Sequence, residues 1–109
     1  MRFKGLWNIC EVKVINGDYF NLEVESFVRI HDGGKGEFKF GLNTGDLTGK
    51  VVYQGSTEKF IFKWLGMDKL KILNGSAWIE IVEEDFIEGE VTSYDGNQWR
   101  IKAKKNKFV

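Results

Sequence analysis

The strongest constraint on this chain is an alternation of apolar and polar residues with a period of two. It is clearest from Glu58 to Leu65, where positions 60, 62 and 64 are aromatic and positions 59 and 63 are lysines. Successive side chains of a β-strand point to opposite faces, so this pattern turns one aromatic face toward a core. The same alternation recurs in short runs between glycine-bearing breaks. The sequence therefore predicts an all-β fold.

The residue types agree with strands rather than helices. The chain has nine Val, nine Ile and nine Phe, which suit a pleated, half-buried surface, but Ala, the best helix former, occurs only at 77 and 103. Thirteen glycines are available for turns, and the absence of proline leaves every amide free to donate to a strand ladder.

The alternation and the breaks together predict eight strands. Their expected bounds are Leu6–Ile15, Ser26–His31, Glu37–Asn43, Leu47–Gln54, Glu58–Leu65, Ser76–Val82, Phe86–Tyr94 and Gln98–Lys105. Short connections favour an antiparallel up-and-down meander, and an even number of strands lets the first and last pair and close the sheet. We predict one domain over residues 1–109, an eight-stranded antiparallel barrel, with an open β-sandwich as the alternative.

Three connections carry specific expectations. Residues 19–25 form either a short helix capped by Asp18 or a loop across the barrel mouth, and the sequence leaves both open. Thr44-Gly45-Asp46 is expected to be a turn, and Gly66 to Gly75 a longer connection with room for one helical turn. Asp95-Gly96-Asn97 is a strong hairpin signal, because Asp-Gly suits a turn that needs positive φ.

The motif Gly5-Leu6-Trp7 on the first strand resembles the start of the calycin barrels, namely lipocalins, fatty-acid-binding proteins and avidins. The resemblance implies that Trp7 plugs one end of the barrel and that a basic side chain of the last strand packs over its ring. Arg100, Lys102 and Lys104 are the expected partners. It also implies a lipocalin-like or avidin-like binding protein, as fold-level analogy alone.

A second resemblance covers most of the chain. Segments 34–41 (GKGEFKFG), 62–68 (FKWLGMD) and 75–78 (GSAW) are similar to motifs of a group of small, uncharacterised bacterial proteins. The order of Ala77 and Trp78 departs from that group's pattern, and the chain is shorter than typical lipocalins. This resemblance implies no activity.

Strand parity gives an expected barrel interior that is rich in aromatic rings. Because these rings are large, we expect them to fill most of the lumen, with a ligand cavity as the alternative. Glu11 shares its predicted face with Trp7 and Ile9, so it is expected either as an inward polar handle or as a solvated rim residue. The residues predicted to bind a ligand are Glu11, Tyr53, Phe62, Trp64 and Trp99.

Charge and motifs argue against several functions. Sixteen basic and sixteen acidic residues give a formal net charge of zero, which disfavours nucleic-acid and membrane binding. One His and one Cys are too few for a usual zinc site, and no residue set fits nucleophile, base and oxyanion roles. We therefore expect no enzyme activity, no metal and no cofactor.

The first residues lack the apolar core of a signal peptide, and this predicts a cytoplasmic protein.

Two functions follow as hypotheses. The first is a non-enzymatic barrel that binds a small apolar or aromatic ligand, entering near residues 19–24 and 66–73. The second is a protein-interaction or inhibitor module with a filled core, which includes a homo-oligomer. It rests on four large side chains expected on the outer face: Phe27, Ile61, Trp78 and Phe86. Single-stranded nucleic acid ranks third.

Overall fold

A computed structural model describes residues 1–20 and 22–108 and confirms the predicted architecture. Within these residues the strands are β1 (Gly5–Asn16), β2 (Phe27–Ile30), β3 (Lys35–Phe40), β4 (Asn43–Gln54), β5 (Thr57–Asp68), β6 (Lys71–Glu83), β7 (Phe86–Ser93) and β8 (Gln98–Lys105). Each pairs antiparallel with its neighbours in sequence, and β1 pairs with β8. The sheet is thus a closed meander without free edges.

Most of the side chains that strand parity assigns to the interior of the barrel fill it. Phe60, Phe62 and Trp64 are buried on β5, while Ile61 and Leu65 are exposed on the outside. Aromatic rings continue along the lumen: the ring centres of Phe3 and Phe60 are 5.8 Å apart, and those of Phe60 and Phe62 are 5.6 Å apart. The predicted packed interior is present over this part of the barrel.

Of the two placements expected for Glu11, the inward one does not occur, because β1 contains a β-bulge. Ile9 pairs with Ala103 and Glu11 with Lys102, so Cys10 is an extra residue without a partner on β8. An extra residue reverses the facing of the side chains that follow it, here as far as the second register shift between Val14 and Asn16. Glu11 therefore lies exposed on the outer wall, and Val12 and Val14, which parity without a bulge assigns to the outside, pack against the core.

Several glycines that the sequence suggested as turns lie inside strands. Gly45 is part of β4, Gly66 of β5 and Gly75 of β6, so the expected turn at 44–46 and the expected long connection at 66–75 are both wrong. Chain reversal between β5 and β6 occurs at Lys69 and Leu70, with Lys69 at a φ of 55°. A Cβ at Gly45 would lie 2.0 Å from the carbonyl oxygen of Leu65, so the strands coil too closely there for any side chain.

The end of the barrel at which β1 begins is closed by Trp7. Its indole is buried and donates a hydrogen bond from Nε1 to the carbonyl oxygen of Phe3, at 2.8 Å. The basic residue over the ring is Lys105, with Nζ 5.6 Å from the ring centre, and not Arg100, Lys102 or Lys104. The reason is parity: these three residues share the outward face of β8, whereas position 105 follows Ala103 on the inward face.

The connection between β1 and β2 crosses the other end of the barrel. Its described residues, 17–20 and 22–26, contain no helix. The sequence left a helix and a loop open, and the loop is the conformation observed. Asn21 lies outside the described residues. The hydroxyl of Ser26 donates to the carbonyl oxygen of Val24 (3.1 Å) and accepts from the amide of Gly41 (2.9 Å). This side chain ties the loop to the β3–β4 turn.

Candidate functional site

The principal candidate site is a cavity at the end of the barrel opposite Trp7, which we call the mouth. Strand ends of β3 to β8 and the β1–β2 loop meet there, and they surround a volume of about 330 Å³. The apolar side chains around it are Tyr19, Phe20, Phe40, Leu42, Trp64, Leu73 and Trp99. The polar ones are Asp18, Asn43, Asp68, Lys71, Ser93, Asp95 and Asn97. A largely apolar concavity with a few polar groups is typical of small-molecule sites.

Aromatic rings form the wall of the mouth and its floor. Phe20 comes from the β1–β2 loop, and its ring centre is 5.4 Å from that of Trp99, edge to face, and 6.1 Å from that of Phe40. Phe40 is in turn 6.0 Å from Trp64, again edge to face. The loop is therefore held over the opening by ring contacts in favourable geometries.

Both tryptophans of the mouth have their indole N–H groups occupied by the protein. Trp64 Nε1 donates to the carbonyl oxygen of Ser76 at 3.3 Å, and Trp99 Nε1 donates to the carbonyl oxygen of Asp18 at 2.6 Å. Room for the Trp64 indole exists only because residue 75 is glycine: a Cβ there would lie 2.6 Å from Trp64 Cζ2. Neither indole therefore has an N–H group free to donate to a ligand.

The polar rim contains Asp18, Asp68, Asp95 and Lys71. Hydrogen bonding from the Ser93 side chain holds the pKa of Asp95 below its usual value, with smaller contributions from the Asn97 amide and the charge of Lys71. Asn97 Nδ2 donates to Asp95 Oδ1 at 3.0 Å. The β7–β8 hairpin is thus organised by its own hydrogen bonds.

Asn43 is the most informative polar residue of the mouth. It is 8% exposed, and its Oδ1 is buried without a hydrogen-bond partner among the described residues. A Cβ at Gly66 would lie 2.4 Å from that oxygen and 2.7 Å from Cζ of Phe38, so the Asn43 side chain packs directly against the glycine. Because a buried acceptor without a partner costs free energy, native structures rarely keep one without a reason.

The five sequence-predicted site residues do not come together. Trp64 and Trp99 line the mouth, and Phe62 is buried in the lumen below it. Glu11 lies on the outer wall with its Oε2 3.7 Å from Lys102 Nζ. Tyr53 is 70% exposed at the closed end, because β4 extends past the core there. Glu11 and Tyr53 are thus far from the mouth.

Sequence reasoning missed the polar residues of the mouth. Asn43, Asp68, Ser93 and Asp95 stand at or just beyond strand ends, at positions where parity gives no hydrophobic signal. The meander itself could have indicated them, because every second connection of an up-and-down barrel lies at the same end. Misplacing the turns at 44–46 and 66–75 obscured that relation.

A second, shallower depression of about 530 Å³ lies on the outer wall of β4 to β7. Ile61 and Trp78 are its large apolar side chains, and Lys59 Nζ lies 4.1 Å from the Trp78 ring centre. Of the other predicted outer residues, Phe27 and Phe86 are both half-buried, with Lys104 Nζ 5.8 Å from the ring centre of Phe86. The depression lacks the enclosed acceptor that distinguishes the mouth.

Comparisons of the chain with models of known protein families, with curated proteins and with solved structures give no match. The closed eight-stranded meander is compatible with a calycin-like fold. Along the described part of the chain, no helix is long and apolar enough to cross a membrane. No three of its His, Cys, Asp and Glu side chains are grouped so as to hold a metal ion.

Proposed function

We propose that this protein is a non-enzymatic binding protein that holds a small apolar or aromatic ligand in the mouth of its barrel. The observation that carries the proposal is the aromatic cavity around Phe40, Trp64 and Trp99. The calycin resemblance of Gly5-Leu6-Trp7 supports the same function by analogy.

The size of the mouth limits the ligand. A volume of about 330 Å³ is at the lower end of small-molecule sites. Below it the lumen is occupied by Phe38, Phe60 and Phe62, so a long aliphatic chain would find no channel to enter. A compound with one or two rings fits these dimensions.

The four tryptophans provide a direct test, because they stand in separate surroundings. Trp64 and Trp99 lie at the mouth, Trp7 at the closed end and Trp78 on the outer wall. Titration of the ¹⁵N-labelled protein with indole and 2-naphthol, followed through the four indole N–H resonances, should shift those of Trp64 and Trp99 in a saturable manner. The resonance of Trp7 should stay in place.

A matched pair of variants separates the mouth from the rest of the surface. Leu73 lines the mouth, whereas Leu65 is exposed on the outer wall. Leu73→Arg should abolish the saturable shifts by filling the cavity with a long charged side chain, and Leu65→Arg should leave them unchanged. Equal effects of the two substitutions, or no shift with either compound in the unsubstituted protein, would contradict the proposal.

A protein-interaction module remains the second candidate, favoured by the outer-wall depression at Ile61 and Trp78. Its partner would contact the Trp78 ring between the cations of Lys59 and Arg100. If this face joins two copies, the Trp78 indole resonance should shift with protein concentration while those of Trp64 and Trp99 do not. A sedimentation coefficient that is independent of concentration, with no change at Trp78, would exclude the homo-oligomer.

A further inference from the structure

We infer that the outer-wall depression is the contact face of a reversible homodimer, with a two-fold axis that runs parallel to the strands between β5 and β6. The inference rests on the protein-interaction function given above as the second candidate, and it names the partner as a second copy of this chain. It follows from the order of charged and apolar side chains across β4 to β7. The mouth takes no part in it.

Antiparallel pairing arranges the outward side chains of these four strands in rows across the wall. In the central row, Lys50 on β4 pairs with Ile61 on β5, and Trp78 on β6 pairs with Glu90 on β7. Ile61 and Trp78 also pair with each other, so the four residues form one continuous row. The row has a cation at one end, an anion at the other end and two large apolar side chains between them.

The rows on either side of the central row have the same polarity. In one of them Lys59 on β5 pairs with Glu80 on β6, and Glu80 pairs with Glu88 on β7. In the other, Lys63 on β5 pairs with Ser76 on β6. Among the outward side chains of these three rows, every charge on β4 and β5 is therefore basic, and every charge on β6 and β7 is acidic.

This polarity makes the wall complementary to itself about an axis parallel to the strands. Such an axis lays β5 of one copy on β6 of the other, and β4 on β7, with each row facing the same row. Lys50 then faces Glu90 of the second copy, and the dimer contains this contact twice. Lys59 likewise faces Glu80 of the second copy. An axis along the central row would instead place Lys50 on Lys50 and Glu90 on Glu90, so like-charge repulsion disfavours it.

Most of these charges lack a counter-charge within one copy. Among the described side chains, Lys50, Lys63 and Glu80 form no ion pair. The Glu90 carboxylate has one, with its Oε2 3.5 Å from Nη2 of Arg100. A long ion pair at the surface contributes little to stability. A second copy therefore supplies counter-charges that a single copy does not.

The apolar centre of the row lies at the axis. Ile61 is 37% exposed, and Trp78 is half-buried beside the depression. In the dimer each Ile61 packs against Trp78 of the second copy, and tryptophan is among the side chains that dominate the energetics of interfaces. Lys63 lies over Ser76 of the second copy in the same way, so a long side chain fills the space left by a short one.

The size of the wall determines how strongly two copies associate. Four neighbouring strands span about 19 Å. The contact is thus smaller than the roughly 800 Å² on each partner that is usual for a stable complex. The dimer therefore dissociates readily, and its population rises only at high protein concentration.

The first test is sedimentation velocity at low salt over protein concentrations up to about 1 mM, a range suited to a small interface. The sedimentation coefficient should rise with concentration, and the Trp78 indole resonance should shift in parallel. Added salt should weaken the association because it screens the charges. Lys50→Glu and Glu90→Lys each turn two attractive contacts of the dimer into repulsive ones, so each should weaken dimerisation by about tenfold or more.

An equimolar mixture of Lys50→Glu and Glu90→Lys is the decisive test. Each introduced charge meets its opposite on the other copy, so the mixture should associate about as tightly as the unsubstituted protein although neither variant does so alone. Lys39→Glu and Glu25→Lys are the matched controls, because they change the net charge equally on β3 and the β1–β2 loop, away from β4 to β7. Each control should dimerise like the unsubstituted protein. The Trp7 resonance reports whether each variant is folded.

The possible failures are distinct. If the sedimentation coefficient does not change with concentration, the homodimer is wrong, and the outer wall is left to a different protein partner. If the protein associates but Lys50→Glu and Glu90→Lys do not weaken the association, or their mixture does not restore it, the arrangement about the β5–β6 axis is wrong. Ligand binding at the mouth fails separately, through the resonances of Trp64 and Trp99.

Discussion

The ammonium of Lys105 lies 5.6 Å from the ring centre of Trp7 at the closed end of the barrel. The two residues are paired across β1 and β8, the strands that close the sheet. A Cβ at Gly5 would lie 3.0 Å from Cε of Lys105, so the glycine two residues before the tryptophan provides the space for the lysine stem. The Gly5-Leu6-Trp7 motif and the last strand thus act together in closing the barrel.

Replacing Lys105 by methionine tests the energetic weight of this contact. Methionine keeps an unbranched apolar stem but removes the charge over the indole, so we expect the free energy of unfolding to fall by about 1 kcal/mol. Urea denaturation followed by tryptophan fluorescence measures the change. Lys63→Met, at an exposed position on the outer wall, is the control. A loss of the same size in both variants would show that the Trp7 contact contributes nothing specific.

Gly75→Ala should be among the more damaging substitutions of small size. A Cβ there would lie 1.9 Å from the carbonyl oxygen of Thr92 and 2.6 Å from Trp64 Cζ2, so either β6 or the indole must move. We expect a loss of about 3 kcal/mol and a displaced Trp64 indole resonance. Gly33 has open space around its Cβ position and a φ of 89°. Gly33→Ala should therefore lower the free energy of unfolding only through backbone strain, by about 1 kcal/mol. Similar losses in the two variants would contradict the steric explanation.

Ser26→Ala tests the attachment of the loop over the mouth. The substitution leaves the Gly41 amide and the Val24 carbonyl oxygen without the Ser26 hydroxyl, and this residue is buried. We expect a loss of about 2 kcal/mol in the free energy of unfolding and faster hydrogen exchange at the Gly41 amide. Ser76→Ala, at an exposed position on β6, should change stability by less than about 0.5 kcal/mol. Unchanged exchange at Gly41 in Ser26→Ala would refute the role of this hydroxyl.

The lowered pKa of Asp95 predicts a pH dependence of stability. Because hydrogen bonding from Ser93 lowers the pKa in the folded state, the charged carboxylate is favoured by folding. Its contribution is present above the ordinary pKa of 3.8 and is lost as the pH falls through the lower folded-state pKa. Asp95→Asn should therefore be less stable than the unsubstituted protein at neutral pH, by less than about 1 kcal/mol at this exposed site.

Thermal denaturation at neutral pH and at pH values below 3.8 measures that difference. The gap between Asp95→Asn and the unsubstituted protein should narrow in acid. In a Ser93→Ala background, where the main cause of the shift is absent, most of the pH dependence of the gap should disappear. A gap that stays constant with pH, or that widens in acid, would show that the sign is wrong.

Local pattern was sufficient for the class of fold and for most of the core. Phe60, Phe62 and Trp64 face inward, as their alternation with lysines predicts. Alternate residues of a strand share one face, and the aromatic face is the one that gains from burial. The Asp95-Gly96-Asn97 hairpin lies at its predicted place, since positive φ at Gly96 is a local requirement. Such features depend on residues that are close in sequence.

Features set by contacts between distant residues were not predictable. The bulge at Cys10, which places Glu11 outside, depends on how β1 pairs with β8 at the other end of the chain. Gly45 and Gly75 resemble turn residues locally, but their absent side chains are required by the close approach of neighbouring strands. Pairing register and strand coiling are properties of the closed sheet, and no local pattern encodes them.

The sequence by itself thus determined an eight-stranded antiparallel barrel with an aromatic interior and a tryptophan near its start. Only the tertiary structure decided which end is open and which polar groups meet there. Asn43, Asp68 and Asp95 are separated along the chain and come together because sheet closure brings strand ends to one rim. The unpartnered oxygen of Asn43 is likewise a property of its surroundings, since burial and hydrogen-bond satisfaction exist only once the strands have packed.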